Sequence, residues 1–77
     1  MKWENNGQQL TRTFRFADFK QALDFVNKVG ELAEAEQHHP DITISYNQVT
    51  LSLSTHETNS LTSKDFDLAA KLDKLAE

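Results

Sequence analysis

The sequence predicts a two-layer α+β domain: a four-stranded antiparallel sheet with two helices packed on one face, in the order β-β-α-β-β-α. Three observations carry that prediction. Apolar and polar residues alternate in two pairs of short runs, each pair joined by turn-forming residues. Two longer stretches space their apolar residues by three and four positions. Each of those stretches opens on a capping residue.

Trp3 to Phe16 reads as the first hairpin. Asn5-Asn6-Gly7 supplies its turn, since Asn and Gly tolerate the positive φ that tight turns require. Leu10, Arg12, Phe14 and Phe16 then alternate with Thr11, Thr13 and Arg15. Arg12 interrupts the apolar set, which predicts a position near an edge or a side chain that reaches past the core. Asp18 is the expected N-cap of the first helix, with Gln21 as its capping-box partner. Phe19, Ala22, Leu23, Val26, Val29 and Ala33 recur at helical steps, and Phe25 and Leu32 widen the stripe. Gly30 weakens this helix by about 1 kcal/mol relative to Ala, or serves close packing. The pattern predicts a helix to His38 or His39, because the residue before Pro40 is pushed out of the helical region.

A second hairpin follows. Ile42, Ile44 and Tyr46 alternate with Thr43 and Ser45, and Val49, Leu51 and Leu53 alternate with Thr50, Ser52 and Ser54. Asn47-Gln48 lies between them, and one face of the pair is expected to be buried. Thr62 caps the last helix, with Asp65 at its N3 position and Leu61 and Phe66 placed as a hydrophobic staple. Leu68, Ala69, Leu72, Leu75 and Ala76 carry its apolar face to the C-terminus.

Residues 1–77 make a single small domain. A chain of this size buries roughly 60% of its unfolded surface, so the core is marginal. Cysteine is absent, which removes disulfides and thiolate zinc sites as staples. Association with other subunits is the remaining common remedy. Twelve acidic residues outweigh eight basic ones for a net charge of −4, and the basic residues are scattered. That balance argues against direct nucleic-acid binding, which draws its affinity from phosphate neutralisation. No apolar run approaches the ~20 residues of a membrane span, and the N-terminus lacks the apolar core of a signal peptide. The expectation is a soluble cytoplasmic protein.

All three histidines fall at the ends of predicted elements. Imidazole, with an unperturbed pKa of about 6.5, both gives and takes protons near neutrality. Glu34 and His38 are four apart, so a helix makes them neighbours, and the carboxylate can fix the imidazole tautomer. The alternative is an exposed pair that suits the helix dipole. His38 and His39 diverge by about 100° around a helix, poor for one metal and better for two points on one small molecule; a solvated helix end is the plainer reading. His56 has the opposite parity to Val49, Leu51 and Leu53, which its position at a strand end also explains. Ser54-Thr55-His56-Glu57 is a dense polar run suited to a polar ligand. Asp65 is accounted for by capping, and Trp3 by a place in the hairpin or core, with a ring-binding pocket the lesser use. A three-histidine zinc site would have to assemble from two separate elements. No Ser-His-Asp, phosphate-loop or dinucleotide signature is present.

Together these residues resemble the pterin-4a-carbinolamine dehydratase family. The family signature is an acidic residue, three residues, His-His-Pro, then an aromatic, a further histidine and an Asp. The matching residues here are Glu34, His38-His39-Pro40, Tyr46, His56 and Asp65. Ile44 to Val49, Leu61 to Phe66, Arg12 to Phe19 and Phe25 are also similar to family stretches, so the resemblance spans nearly the whole chain. Family members usually carry a helical stretch before the position of Trp3, and this sequence starts almost at that tryptophan. The missing stretch bears on assembly more than on the site motif.

The resemblance implies a hydro-lyase that expels water from a 4a-hydroxytetrahydropterin to give the quinonoid dihydropterin, supporting tetrahydrobiopterin recycling and biosynthesis. It implies His38 and His56 as the acid–base pair, His39 as orienting the substrate and Glu34 as setting the tautomer of His38. Gln37, Pro40, Ser54, Thr55 and Glu57 complete the substrate pocket, with Asp65 and Trp3 as secondary candidates. No metal or cofactor is implied, and a homodimer or homotetramer is expected. The alternatives are a non-catalytic interaction module, such as a dimerisation cofactor for a transcription factor, and a metal-binding protein.

Overall fold

The computed structural model describes residues 2–55 and 60–76. Six elements follow in the expected order: β1 (Glu4–Asn5), β2 (Leu10–Arg15), α1 (Phe19–Glu36), β3 (Asp41–Ser45), β4 (Gln48–Leu53) and α2 (Ser63–Leu75). The four strands form one antiparallel sheet in the order β1-β2-β4-β3. In the β2–β4 ladder Leu10 faces Leu53, Arg12 faces Leu51 and Phe14 faces Val49. Strand side chains alternate between faces, so this register gathers one apolar face. Both helices bury against it: Ala22, Phe25, Val29 and Ala33 from α1, and Leu68, Ala69 and Leu72 from α2.

Local chemistry sets the boundaries. Gly7 takes φ +89° in the first turn, where the Asn5 and Asn6 side chains accept backbone hydrogen bonds. Asp18 caps α1 by accepting the Gln21 backbone N–H, but Gln21 reaches back to the Ala17 N–H rather than to that of Asp18. The second hairpin turns at Tyr46-Asn47, one residue earlier than expected, with Tyr46 at φ +52° and 68% exposed. Asn47 fastens that turn to Phe16 through both its backbone carbonyl and its side chain.

Two expectations about burial are corrected. Phe19 and Leu23 are exposed and Phe25 is buried, because the Phe25 ring packs on Phe14 and Phe16 and rolls the helix towards β2. Ile42 is also exposed and Ile44 only half-buried. β3 is an edge strand, bonded to β4 on one side alone, and the helices cover it poorly. Arg12 does reach past the core: it lies over the Phe14 ring, 4.1 Å from its centroid, and pairs with Asp73 of α2.

Candidate functional site

α1 stops at Glu36, two residues short of the earliest expected end. Gln37 adopts a left-handed conformation with φ +53°, and its N–H bonds the Glu34 carbonyl. The His38 N–H bonds the Ala33 carbonyl at 3.1 Å. These two bonds make a Schellman turn, which satisfies carbonyls the helix end would otherwise leave open. Gln37 reinforces it by donating from Nε2 to the Glu34 carbonyl at 2.8 Å.

That turn re-sorts the predicted pairs. Beyond a left-handed residue the four-residue neighbour relation fails, so Glu34 does not pair with His38. Glu34 Oε2 pairs instead with His39 Nε2, in an exposed contact. His38 swings inward and its Nε2 lies 2.5 Å from Asp65 Oδ1. The expectation that Glu34 fixes the His38 tautomer is thereby corrected: Asp65 takes that position.

Asp65 is fully buried. Its Oδ2 accepts the Thr62 backbone N–H at 2.9 Å, closing the predicted capping box, and the Thr55 hydroxyl at 2.9 Å. Burial by itself pushes the carboxyl pKa up; the hydrogen bonds from Thr62, His38 and Thr55 and the attraction of His38 outweigh it and hold it below the ordinary value. Asp65 is therefore an anion at neutral pH, able only to accept. The His38 bond must then be donated by Nε2–H, which leaves the lone pair of neutral His38 on Nδ1.

The chain has gathered these groups from three places. His38, His39 and Pro40 link α1 to β3, Thr55 follows β4, and Asp65 lies in the first turn of α2. Pairing of Asp41 with Ser52 sets the start of β3 beside the end of β4, and Thr55 N–H bonds the Ser60 carbonyl at 3.1 Å. Ser54 sits half-buried at the same end of the sheet. His56 and Glu57 lie outside the described residues. Among the described residues no group of three His, Cys, Asp or Glu side chains could hold a metal ion.

Trp3 belongs to a different cluster. It is buried, packs edge-on against Phe14 at 5.9 Å and donates from Nε1 to Asp73 Oδ1 at 2.8 Å. A depression of about 420 Å³ lined by Lys2, Glu4, Thr11, Arg12 and Thr13 lies on the β1–β2 side and, among the described residues, includes no histidine. The Thr62 hydroxyl, which lies 2.8 Å from Thr55 Oγ1, has a part in the site network that sequence reasoning missed. Its only signal was local, the capping position.

A family model described as Pterin 4 alpha carbinolamine dehydratase matches residues 1–75. A relative from Thermomicrobium roseum is 54% identical over 74 residues, which cover 96% of this chain and 80% of the relative. One from Picosynechococcus is 53% identical over the same shares. Both are provisionally named pterin-4-alpha-carbinolamine dehydratases. The crystal structure of a transcriptional coactivator/pterin dehydratase from Brucella melitensis superposes with a TM-score of 0.92 at 33% identity, covering 99% of this chain and 83% of that one. A pterin dehydratase-like protein, identified as a RuBisCO assembly factor in the alpha-carboxysome, shares the fold with a TM-score of 0.84 at 24% identity, over 99% of this chain and 90% of its own.

Proposed function

The chain belongs to the pterin 4 alpha carbinolamine dehydratase family, and on that footing we propose that it dehydrates a 4a-hydroxytetrahydropterin by histidine acid–base catalysis. The observation that carries this reading is the His38–Asp65 bond. A buried carboxylate that receives one ring nitrogen orients an imidazole and fixes its tautomer, which is what a general acid or base requires.

In the proposed reaction one imidazolium protonates the 4a-hydroxyl as the carbon–oxygen bond breaks, and water leaves. A second imidazole takes the proton from the adjacent ring nitrogen, whose electron pair closes the carbon–nitrogen double bond of the quinonoid dihydropterin. Proton exchange with water resets both rings. His38 and His56 form this pair, each contributing typically about 10²–10⁴-fold. His39 orients the substrate, steadied by Glu34. Gln37, Pro40, Ser54 and Glu57 border the pterin. The step so written uses no metal and no nucleophile, and the protein acts as a homodimer or homotetramer in the cytoplasm.

A second reading is an interaction module. The exposed Phe19, Leu23, Ile42 and Tyr46 favour it, as does the coactivator role of the structural relative from Brucella melitensis. The deciding experiment follows 4a-hydroxytetrahydropterin dehydration by ultraviolet absorbance, using protein stripped of metal with a chelator. Catalysis that survives stripping is expected. A folded, metal-free protein that leaves the spontaneous rate unchanged would overturn the dehydratase reading in favour of the interaction module.

A further inference from the structure

Thr55 reads from sequence as part of a polar run that touches substrate, yet the folded chain turns its hydroxyl inward. The residue is buried, and its Oγ1 lies 2.9 Å from Asp65 Oδ2 and 2.8 Å from Thr62 Oγ1. A hydroxyl carries a single proton, and a carboxylate has none to give. Thr55 therefore donates to Asp65, and the proton between the two threonines comes from Thr62. The result is a directional chain in which Thr62 donates to Thr55, Thr55 to Asp65 Oδ2, and His38 Nε2 to Asp65 Oδ1. Bonds in such a series polarise one another.

The geometry also restricts the carboxylate. An Asp side chain rotates softly about its last torsion. Here Oδ2 is held by two donors from different elements: the Thr55 hydroxyl after β4 and the Thr62 N–H that opens α2. Rotation would break both bonds and take Oδ1 away from His38. Packing alone supplies no such directional hold.

We propose that Thr55 is a positioning residue for His38 rather than a substrate contact: its hydroxyl, fed by Thr62, pins the Asp65 carboxylate and so keeps His38 in the Nε2–H tautomer with Nδ1 as the reacting nitrogen. The kinetic consequence rests on the dehydratase reading; the effect on the tautomer does not.

The test compares Thr55→Val, which keeps the shape, with Thr55→Ser, which keeps the hydroxyl. Side-chain ¹⁵N spectra of His38 report the tautomer, and steady-state dehydration reports kcat and KM separately. In Thr55→Val the His38 nitrogens move towards the averaged shifts of a tautomer mixture. The same variant loses about fivefold in kcat, the equivalent of one net hydrogen bond, at unchanged KM. Thr55→Ser restores both. A folded Thr55→Val with wild-type ¹⁵N shifts overturns the proposal, as does a raised KM at unchanged kcat, the mark of a substrate contact. Should Thr55→Val fail to fold, Thr55→Ser and Thr55→Ala decide, and the same His38 tautomer in both overturns it. If wild type proves inactive, the dehydratase reading falls and the ¹⁵N comparison still decides the role of Thr55.

Discussion

His38 and His39 are neighbours in sequence, and each pairs with a carboxylate, but the two pairs differ in almost every physical respect. The His38 side chain is 12% exposed and its Asp65 partner 0%. For His39 and Glu34 the values are 58% and 74%. Asp65 accepts from three residues across three segments of the chain, whereas Glu34 and His39 are five residues apart on one stretch of surface. An ion pair in water gains little because solvent screens it. A buried carboxylate with all its donors in place organises the groups around it, and removing it strands those donors. Burial of the partner, more than the presence of the pair, separates an imidazole fit for proton transfer from one fit for contact.

The largest effect on stability should come from deleting the buried carboxylate, and little from deleting the exposed one. Asp65→Ala is expected to cost about 3–5 kcal/mol in urea unfolding, because it removes the buried acceptor shared by His38, Thr55 and the Thr62 N–H. Glu34→Ala should stay within about 0.5 kcal/mol of wild type. Equal losses would erase the distinction between the two pairs.

Acid should separate them as well. The Asp65 pKa is lower folded than unfolded, so the native state binds fewer protons there. Its stabilising contribution is complete above the unfolded value of about 3.9 and is lost as pH falls through the folded value. The thermal midpoint of wild type should therefore drop with acid below about pH 4, and Asp65→Asn should flatten that limb. An unchanged limb in the Asn variant would assign acid sensitivity to other groups.

A smaller effect than that of Asp65 extends the contrast between buried and open surfaces to α1. Among the described residues a Cβ added at Gly30 meets nothing within 4 Å, so the close-packing use of this glycine is not realised among them. Gly30→Ala should raise stability by about 0.5–1 kcal/mol through helix propensity and a less mobile unfolded state. A loss on substitution, measured by the same unfolding experiment, would mean that this flank packs against something in solution.

The order of elements and both helix N-caps were legible because they are local: alternation, three-and-four spacing and a capping residue each act within a few positions. The Thr62–Asp65 capping box was legible for the same reason. The partner of His38 was not, since Asp65 lies 27 residues away and meets it only after the sheet and α2 are assembled. Pro40 correctly predicts that α1 cannot pass His39, but the stop at Glu36 depends on Gln37 taking a left-handed conformation that non-glycine residues seldom signal. Tyr46 likewise fits the alternation of β3, and only its positive φ shows that it belongs to the turn. The exposed flank of α1 was misread because helical spacing marks every apolar residue alike, whereas the rings of Phe14 and Phe16 select which side is buried.

The most direct test of this account is the dehydration kcat of His38→Ala beside that of His39→Ala, each shown to be folded by circular dichroism. The account predicts a fall of about 100-fold or more for His38→Ala, the range of a lost acid–base group. His39→Ala should act mainly through KM, as a substrate-orienting residue does. A His38→Ala protein that retains wild-type kcat would contradict the assignment of His38, held by Asp65, as an acid–base residue.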